Sequence, residues 1–141
     1  MSYKRPQSVL VVIYTSAAEV LLMQRCDMPN FWQSVTGSLH ENEIPLEAAK
    51  REVWEETSLV ADKRLHDCQS KNRFEIKPPW RARYASDVTH NTEHVFTLLL
   101  PTRQPIQLNP SEHSSYCWLP RVDALERVTS STNRDAILQN V

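Results

Sequence analysis

Glycine is nearly absent from this chain. Gly37 is the single one in 141 residues, where average usage of about 7% would supply roughly ten. Collagen-like repeats, glycine–serine linkers and low-complexity segments are thereby excluded. A glycine kept in so glycine-poor a chain points to a position that needs φ > 0 or the close approach of a ligand or backbone, with chance as the alternative. Paired cysteines are lacking too. Cys26, Cys68 and Cys117 are widely spaced with no C-x-x-C, which argues for reduced thiols and a cytoplasmic protein. There is no long apolar run. The longest, Val9 to Tyr14, is far short of the roughly 20 residues of a membrane span. Lys4 and Arg5 before it and Ser16 to Ala18 after it imitate a secretory signal, but a second apolar run, Val20 to Met23, follows at once and favours a hairpin. The net charge of −1 gives no overall field for nucleic acid or membrane.

What is present is an ordinary globular composition, 40% apolar and 23% charged. The length suggests one domain over residues 1–141 that folds without disulfide or structural metal. Ser8 to Tyr14 reads as a strand buried on both faces, and Val20 to Gln24 as its return. Phe31 to Val35 reads as a short extended segment leading to Thr36-Gly37. Pro45 to Thr57 is a helix, with proline in its first turn and Leu46, Ala49 and Val53 as an apolar stripe. Leu65 to Ile76, Trp80 to Ala85, Val95 to Leu100 and Tyr116 to Leu119 read as further extended pieces. Pro120 to Arg127 and Thr132 to Asn140 read as helices, the second capped by hydroxyls of Thr129 to Thr132. This order predicts an α+β fold with a mixed sheet.

Charge is concentrated. Glu41 to Glu56 holds six acids and two bases, whereas Asp62 to Arg83 holds seven bases and three acids. Such a pair suits a metal–polyphosphate site, or else a solvated helix face and a basic surface. Within the helix, Glu52 and Glu56 stand at i and i+4 and Glu55 one turn from Glu52, so like charges crowd one side. A hard divalent cation with oxygen ligands would offset that repulsion. Arg51 stands where it can bridge Glu43 and a metal-binding glutamate. His90-x3-His94 would suit zinc on a helix, but Thr92 and Val95 to Thr97 favour a strand there.

Gly37, Glu43, Arg51, Glu52, Val53, Glu55 and Glu56 follow the spacing G-x5-E-x7-R-E-U-x-E-E, U being aliphatic. In this the chain resembles the Nudix family. The resemblance implies the Nudix fold, a mixed sheet sandwiched by helices. It also implies Mg²⁺-dependent hydrolysis of a nucleoside diphosphate linked to another group. Glu52, Glu55 and Glu56 would bind the metal, with Glu43 and Arg51 orienting them. A glutamate outside the box is often recruited as a further ligand or general base; Glu112 is the first choice and Glu93 the second. Ser58 and Asn42 stand where relatives often carry glycine; either Ser58 is forced into left-handed backbone or the helix ends differently, and Asn42 is the next most tolerant residue for φ > 0.

Beyond the box the chain resembles, nearly end to end, the branch of the family that hydrolyses dihydroneopterin triphosphate to the monophosphate and pyrophosphate in folate biosynthesis. Tyr3 to Pro6, Phe31 to Ser38, Arg83-Tyr84, Asn91 to Glu93, Glu112-His113, Tyr116 to Leu119 and Asn133-Arg134 carry that likeness. It implies Lys4, Arg25 and Thr36 at the triphosphate, Phe74, Glu75, Ile76 and Lys77 as a pocket wall, and Ser130 closing the site. Phe74 would stack on the ring; Trp32, Trp54, Trp80 and Trp118 read as core or half-buried, with stacking on a flat ring the alternative for Trp32 or Trp80. The partner expected is a small-molecule triphosphate, not nucleic acid or a membrane. The rival readings are a Nudix pyrophosphatase of (deoxy)nucleoside triphosphates or other nucleoside-diphosphate derivatives, and a non-catalytic Nudix domain that binds ligand or RNA.

Overall fold

The computed structural model describes residues 3–141. The apolar run after Pro6 becomes β1 (Gln7–Thr15), which lies inside the sheet because both of its faces must be covered. Ala18, at φ 57°, turns the chain into β2 (Glu19–Arg25). β3 (Trp32–Gln33) and β4 (Val35–Ser38) follow, then α1 (Pro45–Thr57), β5 (Leu65–Glu75) and α2 (Pro78–Arg81). β6 (His90–Leu100), β7 (His113–Pro120), α3 (Arg121–Arg127) and α4 (Ser131–Asn140) complete the order.

The strands run β3-β2-β1-β6-β5, with β7 on β2 and β4 on β1. β1 and β6 are parallel and the other pairs antiparallel, so the sheet is mixed as expected. β1 parts from β2 early. Tyr14 still faces Val20, whereas Ser8 to Val11 face β4 instead. The sheet therefore splits, and the split carries the site.

Strand alternation builds two cores. Val9, Val11, Ile13, Leu21 and Met23 pack under Ala48, Ala49 and Val53 of α1. Leu10, Val12, Val20 and Leu22 pack on the other face against Ala124, Ala136 and Ile137 of α3 and α4. Each such large side chain contributes about 1.5–3 kcal/mol on burial. Helices on both faces give the expected sandwich.

Several local readings need correction. Trp80 to Ala85 is not extended: Pro78 and Pro79, fitted to a first turn, start the short α2 instead. The Phe31–Val35 segment is broken at Ser34 into β3 and β4. The strand expected from Val95 begins at His90, so His90 and His94 lie in a strand and not on a helix face. On α1 the inward face is Ala48, Ala49, Glu52, Val53 and Glu56. Leu46 lies at the margin of that face and is 40% exposed, and Trp54 points to solvent. Ser58 and Asn42 do adopt left-handed backbone, at φ 63° and 64°. Gly37 does not.

Candidate active site

Gly37 is held in β4 for a different reason. A Cβ there would overlap the carboxylate of Glu52. Glycine is required by the approach of a side chain from α1, not by its own dihedral angles.

Arg51 fixes that side chain. Its guanidinium donates to both carboxylate oxygens of Glu43 at 2.9 Å, to Glu52 Oε1 at 2.6 Å, to Glu55 Oε2 at 3.1 Å and to the Ser38 carbonyl at 3.0 Å. Only a planar fork spans so many acceptors. The hydrogen bonds from Arg51 hold the Glu43 carboxyl down to about 2. Glu43 Oε1 also accepts from the His40 N–H at 2.8 Å. Arg5, which sequence reasoning passed over, donates to the carbonyls of His40 and Glu43 and ties down the same loop. One more cation before β1 gave no signal of that contact.

Glu56 is the outlier. It is fully buried, and neither carboxylate oxygen has a hydrogen-bond partner. Burial, then the neighbouring charges of Glu52 and Glu112, push its carboxyl well above the usual carboxylate range. Glu112, entering from the turn before β7, is raised in the same way by burial, Glu52 and Glu55. Oxygen or nitrogen atoms of Glu56, Glu112 and His113 lie within 4.8 Å of one another. An orphaned buried carboxylate beside two more is a set of hard donors that fits a divalent cation. Glu52, Glu56 and Glu112 thus converge, while Glu55 stays half-exposed at the rim in its bond to Arg51. Glu93 lies elsewhere, beside Asn72, whose side chain donates to it at 3.3 Å.

His113 was also missed. It is buried, its Nε2 lies 3.0 Å from Gln33 Nε2, and its Nδ1 lies 3.9 Å from Glu56 Oε1. Burial and then Arg25 lower its pKa to about 4, so it is neutral at pH 7. Alternation along β7 was the available clue, because it turns the neighbour of Glu112 inward.

A cleft of about 1800 Å³ extends from this cluster through the split in the sheet. Lys4, Arg25, Thr36, Phe74, Glu75, Ile76, Lys77 and Ser130 all line it. The pKa of Lys4 is lowered by burial and by Arg83, whose carbonyl accepts from the Lys4 N–H at 2.9 Å. Arg25 is paired with Asp27 at 2.7 Å and sits against the rings of Phe31 and Trp80. The Thr36 hydroxyl donates to the Val9 carbonyl at 3.0 Å. Ser130 Oγ accepts from the Asn133 N–H and so caps α4. Trp80 lines the cleft, but Trp32 does not; it lies under Arg127. Of the seven bases from Asp62 to Arg83, only Lys77 and Arg83 reach the cleft.

A NUDIX domain model matches residues 4–140. The chain is 48% identical to the dihydroneopterin triphosphate diphosphatase of Escherichia coli K12, over 99% of this chain and 94% of that protein. It is 43% identical to that of Haemophilus influenzae, over 97% and 88%. The structure of the E. coli dihydroneopterin triphosphate pyrophosphohydrolase superposes with a TM-score of 0.92 at 46% identity, covering 100% of this chain and 98% of that one.

Proposed function

Since the chain belongs to the Nudix family and is a Nudix hydrolase, we propose that it hydrolyses dihydroneopterin triphosphate to the monophosphate and pyrophosphate with Mg²⁺. The cluster of Glu56, Glu112 and His113, with Glu52 close enough to raise both carboxyls and Glu52 and Glu112 lining the cleft, carries this reading. Near-full-length likeness to diphosphatases of that name supports the substrate. The single unit over residues 1–141 is one catalytic domain. Free thiols at Cys26, Cys68 and Cys117 support a cytoplasmic setting.

Glu52, Glu56 and Glu112, with Glu55 at the rim, would hold Mg²⁺. When bound, the ion supplies charge neutralisation of the phosphates and an acidified water. The residues do the rest. Glu43 and Arg51 keep the glutamates of α1 aimed at the cleft. Lys4 and Arg83 give cationic contacts to the triphosphate, and Arg25, held by Asp27, adds to that field. Thr36 offers oxygen lone pairs only, its hydrogen being committed to Val9. Water attacks phosphorus, a P–O bond of the triphosphate breaks, and pyrophosphate departs. Glu112, at the cleft beside Glu56, accepts the proton of that water where it is not itself a ligand of the ion. Phe74 to Lys77 wall the ring, and Ser130 closes the end of the cleft.

The test is a panel of dihydroneopterin triphosphate, dATP and dGTP with Mg²⁺, separating pyrophosphate from phosphate. The expected result is a higher kcat/KM for the pterin, with pyrophosphate as product. Equal or lower kcat/KM than for the nucleotides overturns the substrate assignment.

A further inference from the structure

The ring end of the cleft holds two buried polar side chains to which the mechanism above gives no role. Asn91 and Glu93 point from β6 to the face that carries α4, two residues apart on one side of the strand. They are 3% and 6% exposed, and both line the cleft. Asn91 Nδ2 donates to Ser8 Oγ at 2.8 Å, while its Oδ1 has no partner. Glu93 receives a long bond from Asn72, 3.3 Å to Oε1, with the Thr132 hydroxyl as a second neighbouring donor, and burial pushes its carboxyl up.

A buried carboxylate and a bare amide oxygen side by side are both acceptors, so the group that satisfies them must bring donors. An anionic phosphate cannot lie there. A metal ion is poorly served as well, because Ser8, Asn72, Asn91 and Thr132 around Glu93 are all neutral. Phe74 is paired with Asn91 across β5 and β6 and stands half-buried in the cleft wall. It offers an apolar face for a flat ring beside the two acceptors.

We propose that Glu93 and Asn91 form the ring-reading end of the cleft, taking the 2-amino and N3–H donors of a 2-amino-4-oxopyrimidine edge. The inference rests on the pterin reading above for its choice of ring. A carboxylate matches two parallel N–H donors as a fork, in the way it matches guanidinium. The negative charge of Glu93 also orients the substrate, since it keeps the triphosphate at the opposite end near Lys4 and Arg83.

The decisive measurement is equilibrium binding of neopterin, which carries no phosphate, followed by the ring's own fluorescence. Its analogue with 2-oxo in place of 2-amino is the comparison. The wild-type protein is expected to bind neopterin at least about tenfold more tightly, a bidentate contact being lost in the analogue. Glu93→Gln, nearly isosteric, should lose most of that preference. Equal wild-type affinity for the two rings overturns the proposal, and that comparison needs no variant to fold. Undiminished preference in a folded Glu93→Gln protein overturns it equally. Turnover of dihydroneopterin triphosphate is scored separately. Turnover without ring preference removes the subsite and leaves the substrate reading standing. Ring preference without turnover does the reverse.

Discussion

At the residue scale the site is organised around one buried carboxyl, Glu56, whose oxygens accept no hydrogen bond from the described residues. Removing the charge of Glu56 should therefore separate stability from activity. Glu56→Gln is expected to melt higher than the wild type in EDTA, by a few degrees, because an unsatisfied buried carboxylate costs on the order of 1–3 kcal/mol. Its hydrolysis with Mg²⁺ should fall by about 10²-fold or more. A variant with lower melting temperature and full turnover would refute both the metal role and the burial argument. Gly37→Ala tests the neighbouring contact. The added methyl displaces the Glu52 carboxylate from the position Arg51 gives it. The Mg²⁺ concentration for half-maximal rate should rise about tenfold, as for other losses of support to a ligand, with little change in melting in EDTA.

At the element scale, α1 is anchored to the loop before it by the Arg51–Glu43 pair. The Glu43 carboxyl lies near 2 in the folded chain and returns to about 4.5 when unfolded. The pair's contribution to stability is thus complete above about pH 4.5 and is lost as pH falls toward 2. Acid unfolding of Glu43→Gln should start from lower stability at pH 6 and converge on the wild type across that window. A constant difference down to pH 2 would show that Glu43 acts by packing alone. α1 also shows what was legible beforehand. The box spacing located Arg51, Glu52 and Glu56 on a helix, with Glu43 just before it, because i, i+4 geometry is local. The same pattern could not say that Leu46 would be exposed, since the margin of a buried face depends on where the sheet ends. Nor could it reach His113, Arg5 or Asn91, whose contacts join residues far apart in the chain. Of the two reasons expected for Gly37, φ > 0 does not hold and close approach does; the sequence could not choose between them because the constraint comes from Glu52 across the site. Ser58 and Asn42 were readable because left-handed backbone at a helix end or loop is a local matter.

At the scale of the whole molecule, three carboxylates held close together make the folded chain a better cation binder than the unfolded one. Mg²⁺ at about 100 times its dissociation constant should then raise stability by about 2.7 kcal/mol, on the order of 10 °C in Tm. EDTA should reverse the gain, and monovalent salt at equal ionic strength should not reproduce it. No helix among the described residues is long and apolar enough to cross a membrane. The broad class, α+β with a mixed sheet, was legible from strand and helix order. The split between β2 and β4 was not, because it is set by pairing partners and not by the pattern of any one strand.

The parallel seam between β1 and β6 has a consequence for how the chain is made. Val9 sits beside His94, so the first strand to leave the ribosome waits for one of the last to complete the middle of the sheet. Until then one edge of the apolar run Val9–Ile13 is open, and open edges of that kind recruit other chains. A polypeptide ending before His90 should accumulate as aggregate when expressed, as sedimentation of the lysate would reveal, whatever the fate of its first hairpin.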